Sequence, residues 1–201
     1  CEALSGEAFR RVVYVESHDS TGELNGHRRL ITRLREAAPE DPEAAEAYLR
    51  LGAALMLTVP AVPMLLQGQE FAQPGAFHDS APMDWSLTAG SETLEVTRQL
   101  VRARRDLDGH TGGLTHPELD VRHVNPGAGV LTYRRGADVM VMLNFSATDF
   151  EAYRIGVPEA GPWRVQVDTG DPARAGVDAQ AETGDYDGYP ASVEVALPAR
   201  T

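Results

Sequence analysis

Two textures of hydrophobic and polar positions divide this chain. Up to about residue 107 the apolar residues come in short β-branched runs and in longer stretches spaced three and four apart. The first run, Val12, Val13, Tyr14 and Val15, predicts a buried strand that stops at Glu16, Ser17, His18 and Asp19. Residues 20–26 read as a loop over that strand end. A helix is expected next, with Leu30, Ile31 and Leu34 on its apolar face and Arg28, Arg29, Arg33 and Arg35 facing elsewhere. Asp41, Pro42 and Glu43 signal a second helix, with a cap, a proline at the first position and an acid in the first turn. It runs through Tyr48, Leu51, Leu55 and Thr58 to a stop at Pro60, and its later half is apolar nearly all round, which predicts burial. A second strand is expected over 63–67, ending in Gln67, Gly68, Gln69 and Glu70. After a long loop, residues 91–107 predict a helix on Leu94, Leu100, Val101 and Leu107, with Arg102, Arg104, Arg105 and Asp106 on a solvated face.

From Asp108 the pattern changes. Gly109, Gly112, Gly113 and Pro117 form a linker, and short strands are expected over 121–124, 130–134, 139–145, 153–157, 163–169 and 192–197. Strands at this spacing predict an antiparallel sandwich. The Gly/Asp/Ala-rich stretch 170–190 reads as a long surface loop. Before residue 110 the order strand, helix, strand predicts parallel strands whose carboxyl ends open into a site, as in a (β/α)8 barrel. A whole barrel takes about 250 residues, so 201 residues shared with a sandwich hold only a piece of one. Two such units cannot close a barrel, so apolar faces such as Leu51, Leu55 and Leu57 are expected to be partly uncovered.

Composition narrows the function classes. With 18 basic and 30 acidic residues the net charge is −12, which argues against binding nucleic-acid phosphates or anionic lipid. One cysteine, Cys1, leaves no internal disulfide and leans toward a reducing, cytoplasmic compartment. No apolar run approaches the roughly 18 residues of a membrane span. A start at Cys1 with neither Met nor a signal-peptide pattern leads us to expect a fragment.

Chemistry concentrates at the two strand ends. An imidazole beside a carboxylate, as in His18 and Asp19, can bind sugar hydroxyls, hold a metal or move a proton. Taken alone, such a pair more often caps a loop. The second cluster, Gln67 to Glu70, changes that balance, because two neighbouring strands then end in polar groups on one rim. The six histidines show no metal-ligand spacing, so neither metal nor cofactor is expected.

The Tyr-Val-Glu-Ser-His-Asp run at 14–19 is similar to the fourth conserved region of the α-amylase family (glycoside hydrolase family 13), on the seventh barrel strand. The segment from Pro63 to Phe71 resembles the family's eighth strand. Its continuation, with Phe71-Ala-Gln and then Pro82-Met-Asp-Trp85, resembles the branching-enzyme side of the family, although Met83 stands where Leu is usual. The tail is similar to the family's carboxyl-terminal sandwich, with Asn144-Phe145-Ser146 closing one strand.

The resemblance implies the following arrangement. Residues 1–110 would be the last two βα units of a TIM-type barrel and 111–201 a carboxyl-terminal antiparallel β-sandwich. Asp19 would stabilise the transition state and His18 would bind hydroxyls of the sugar being cleaved. Glu70 would either contact glucan or serve the architecture of the rim, and Trp85 and Phe71 would either stack on a sugar or pack. His78 and Asp79 would line the acceptor side. The substrate would be a glycogen- or starch-like α-glucan, and the reaction a transfer of α-1,4 segments to make α-1,6 branches. A hydrolase of the family and a non-catalytic carbohydrate-binding remnant are the alternatives. A retaining mechanism needs a nucleophile and an acid/base carboxylate ~5–5.5 Å apart. In the family these come from earlier strands, so the 201 residues alone are expected to be inactive and to depend on an amino-terminal part.

Overall fold

The computed structural model describes residues 8–23 and 26–201. Strands β1 (Val12–Val13) and β2 (Val62–Pro63) pair in parallel, with Val12 beside Val62 and Val13 beside Pro63. Between them lie a one-turn helix α1 (His18–Thr21), α2 (Leu30–Ala37) and α3 (Pro42–Thr58). Asp41 caps α3 by accepting the Ala44 N–H at 3.0 Å, with Pro42 in the first turn where its missing N–H costs nothing. Helix α4 (Glu92–Arg104) follows β2, capped by Ser91, whose hydroxyl accepts the Leu94 N–H.

The remaining strands form two antiparallel sheets. One has the order β3 (Leu119–Asn125), β4 (Val130–Arg135), β5 (Val139–Asn144). The other runs β6 (Phe150–Val157), β9 (Tyr189–Leu197), β8 (Asp178–Tyr186), β7 (Gly161–Arg164). Ile155, Val157, Ala181, Ala191 and Val193 of the second sheet pack on Met140 and Met142 of the first, so the two sheets cover one another. A second core joins Leu51, Met56 and Leu57 of α3 and Val96 and Leu100 of α4 to Tyr133 and Leu143 of the first sheet.

Several expectations are corrected. Leu51 and Leu57 are each only 2 % exposed, because the β3–β4–β5 sheet packs over the helices. The Val12–Val15 run is not buried: Val12 is 55 % and Tyr14 52 % exposed, since side chains alternate and only the Val13 face meets the core. The second strand contributes only Val62 and Pro63 to the ladder before the chain turns off. The expected loop over 170–190 holds strand β8 and a tight hairpin. Tyr186 pairs with Tyr189 across Asp187 and Gly188, both at positive φ (52° and 72°), the signature of a two-residue primed turn. Strand β8 escaped notice because its inward residues are Ala179 and Ala181, small side chains without a strand signature.

Candidate active site

The carboxyl end of β1 is built around two serines. Ser17 accepts the Ser20 N–H while Ser20 accepts the Ser17 N–H at 2.8 Å, a reciprocal cap that turns the chain into α1. His18 and Asp19 therefore stand in the first turn of a helix, directed outward. Their side chains are 67 % and 84 % exposed, with His18 Nε2 3.3 Å from Asp19 Oδ1, so both can reach a ligand. The His18 ring also meets the Phe77 ring edge-on at 6.2 Å.

At the end of β2 the chain reverses through Gly68, whose φ is +89°. A Cβ there would lie 2.5 Å from Met83 Cε and 2.9 Å from Gln73 Cβ, so only glycine fits. Gln69, Glu70 and Phe71 form a 3-10 turn beyond it. The loop that follows is stitched to the α1 region: Phe77 donates to the Thr21 carbonyl at 2.8 Å, and Glu23 donates back to the Phe77 carbonyl. The loop after β2 is thus tied to the turn that carries His18 and Asp19.

Trp85 is 66 % exposed and lies against buried Phe71 at 5.7 Å between ring centres. Phe71 packs, and Trp85 presents an open face. Glu70 does not join His18 and Asp19 in any hydrogen bond or ion pair. One of its carboxylate oxygens is shut off from solvent without a hydrogen-bond partner among the described residues, and its charge acts on Arg29. His78 is held locally by Ser80 (Nδ1 to Oγ, 2.9 Å) and by Asp79 at 3.5 Å. Among the described residues no three His, Cys, Asp or Glu side chains cluster as metal ligands would, and no helix is long and apolar enough to cross a membrane.

Under the rim lies a feature the sequence reading misplaced. Arg29 is 3 % exposed and sits at the N-cap of α2 rather than on its solvent face. It donates to the Gln67 carbonyl at 3.0 Å and lies 3.6 Å from Glu16, itself buried. Glu16 in turn accepts the Leu30 N–H at 2.7 Å. Burial pushes the Glu16 carboxyl up and the Arg29 guanidinium down, against the opposing pull of each other's charge.

Two further arginines expected at the surface or unnoticed turn inward, Arg104 half-buried and Arg135 fully buried. Arg104 donates to the carbonyls of Leu57, Val59 and Ala61, satisfying the end of α3 and the approach to β2. Arg135 of β4 is fully buried and donates to the carbonyls of Thr58, Leu114, His116 and Glu118. Beside it Tyr133 shares a 2.5 Å hydrogen bond with Thr58. Burial pushes Tyr133 up to about 12, while burial and the like charge of Arg104 push Arg135 down to about 10. Arginine in an apolar-looking strand gives no sequence signal of burial; only the packing reveals it.

Residues 121–201 match the family model for the α-amylase C-terminal all-beta domain. Over these residues the chain carries the all-beta carboxyl-terminal domain of the α-amylase family. The curated relatives that it resembles include the 1,4-alpha-glucan branching enzymes GlgB of Rhodococcus jostii (31% identical, covering 91% of this chain and 27% of the relative) and of Bordetella pertussis (33% identical, 80% and 22%). The chain thus spans about a quarter of the length of these relatives. Among solved structures, an Anoxybacillus α-amylase superposes with a TM-score of 0.66 at 15% identity, covering 94% of this chain and 36% of that one. A type I pullulanase from Bacillus subtilis complexed with maltose gives 0.62 at 17% identity, covering 92% and 27%. These two likenesses concern the fold.

Proposed function

We propose that the chain is the carboxyl-terminal part of a 1,4-α-glucan branching enzyme. Residues 1–110 would supply the last two βα units of a (β/α)8 barrel, and residues 111–201 the carboxyl-terminal sandwich. The observation that carries this reading is the parallel β1–β2 pair, whose carboxyl ends bear exposed His18 and Asp19 on one side and the Gly68 turn on the other. The branching-enzyme relatives support the choice of reaction. In that reaction an α-1,4 bond is cleaved with retention and the freed segment is passed to a 6-hydroxyl of another glucan chain. Asp19 would hold sugar hydroxyls as positive charge develops at the anomeric carbon, and His18 would bind a neighbouring hydroxyl. Trp85 would offer its open face to a sugar ring. Glu70, with its inward oxygen in the field of Arg29, serves the framework of the rim. The nucleophile and the acid/base would come from the amino-terminal part, so the 201 residues alone would turn over no glucan, and the enzyme would work in the cytoplasm on a glycogen-like polymer without metal, nucleic acid or membrane.

Replacing Asp19 by Asn in the full-length enzyme tests this. New α-1,6 linkages on amylose should form ~10²–10³-fold more slowly, because an interaction that strengthens in the transition state is lost, while glucan binding stays close to normal. Near-normal turnover would remove Asp19 from the chemistry. Release of reducing ends without new α-1,6 linkages in the unaltered enzyme would make the parent a hydrolase.

A further inference from the structure

We propose that Arg29 is a positioning residue for glucan transfer, fixing the end of β1 against the end of β2 and so setting where His18 and Asp19 stand. The inference rests on the functional reading above and assigns a role to a residue outside the expected site. Arg29 touches three pieces of the rim. Its guanidinium donates to the Gln67 carbonyl at the end of β2 (3.0 Å) and faces Glu16 at the end of β1 (3.6 Å). Its backbone N–H donates to the Gly75 carbonyl in the loop after β2 at 2.9 Å. Gly68 packs on it too: a Cβ at Gly68 would come within 3.4 Å of Arg29 Nη1.

Glu16 adds the second half of the argument. It stands two residues before His18, and its carboxylate takes the first N–H of α2, so β1, α2 and β2 meet through one buried ion pair. A buried ion pair seldom adds net stability over an apolar substitute, because removing both charges from water costs about as much as their attraction returns. Its use is to fix one geometry. The guanidinium can span a carboxylate and a carbonyl at once because its donors form a rigid fork, which a single ammonium lacks. Arg29 Nε and both amide atoms of Gln69 are buried without hydrogen-bond partners among the described residues, so this region is held by a few directional contacts rather than by full polar satisfaction.

The test is made in the full-length enzyme with three variants. Removing both charges with Glu16→Gln, whose amide oxygen still accepts the Leu30 N–H, and Arg29→Met should keep the fold, with melting within roughly 5 °C of the unaltered protein, since no uncompensated buried charge is left. Its kcat for branching should fall by ~10–100-fold with KM changed less than about twofold, because misplacement of about 1 Å suffices for such a loss. Arg29→Lys keeps the charge but not the fork, and should lower kcat about threefold to tenfold at unchanged KM. This second variant decides the matter if the first does not fold. Normal kcat in either folded variant, or a loss confined to KM, would overturn the positioning role. Asp19→Asn is measured alongside: if it is inactive while the Arg29 variants are normal, only this inference fails, whereas an active Asp19→Asn removes the functional reading beneath it.

Discussion

The parallel pair and the sandwich bury their strands in different ways. In the sandwich, Ile155, Val157 and Val193 of one sheet close on Met140 and Met142 of the other, so the inward faces are covered from within the region. In the parallel pair only one face is covered: Val13 and Leu65 pack inward, while Val12, Tyr14, Val62 and Met64 stay exposed. Ionisable groups divide along the same line. On the sandwich they pair with each other, as Arg164 with Asp178 at 2.7 Å and His123 with Asp187 at 3.0 Å. At the end of β1, His18 and Asp19 pair with one another at 3.3 Å and lie open. The less self-sufficient region carries the proposed site, and it is tied to the sandwich through Tyr133 and Arg135, which grip the last turn of α3 just before β2.

If that grip unites the two regions, breaking it should give the largest effect. Arg135→Met strands the carbonyls of Thr58, Leu114, His116 and Glu118, and should cost on the order of 3–5 kcal/mol. The two tryptophans allow each region to be followed separately, Trp85 near β2 and Trp163 on β7. In single-tryptophan versions of the chain, both fluorescence transitions should move down together. A shift of the Trp163 transition alone would show the regions to be independent.

Gly68→Ala should act on one side only. The strained φ and the contacts with Met83 and Gln73 predict a loss of about 1–3 kcal/mol that moves both transitions, with the native-state emission altered at Trp85 and unchanged at Trp163.

How much of this was legible in the sequence depends on the kind of signal involved. Helices α2, α3 and α4 announced themselves by periodicity, and α3 also by its cap at Asp41; the structure starts α3 and α4 within a residue of the expected positions. Six of the seven sandwich strands stood out by their β-branched residues, with β7 ending sooner than expected. Strand β8 did not, although the Asp187-Gly188 dipeptide was a readable hairpin signal. The polar strand ends were visible as residues, and their spatial relation was not. Nor could Arg29, Arg104 and Arg135 be told from surface arginines, because what they satisfy are backbone carbonyls distant in sequence.

A smaller effect isolates the seam. Tyr133→Phe removes one hydrogen bond while Thr58 keeps its bond to the Ala54 carbonyl, so the cost should be about 1 kcal/mol near pH 8. Its pH dependence follows from the raised Tyr133 pKa. Between the unfolded value of 10.0 and the folded value of about 12, the folded chain keeps a proton that the unfolded chain has lost. That contribution is full below pH 10 and is lost as pH rises through 12. Arg135 runs the other way: burial and the like charge of Arg104 hold its guanidinium down at about 10, below the ordinary arginine range, so it adds stability as pH rises above 10. The difference between the unaltered chain and Tyr133→Phe cancels the arginine and should shrink by roughly 1 kcal/mol per pH unit above pH 10, as read by denaturant titration. The smallest effect on folding is expected from exposed Trp85: Trp85→Ala should leave stability within about 0.5 kcal/mol and weaken glucan binding by roughly fivefold, measured by calorimetry with a maltooligosaccharide.

The most direct measurement is a crystal structure of the full-length Asp19→Asn enzyme with a long maltooligosaccharide. The account predicts one glucosyl unit within hydrogen-bond distance of both His18 and Asn at position 19, at the carboxyl ends of β1 and β2. Electron density for glucan that occupies the enzyme's cleft without contacting residues 18 and 19 would contradict it.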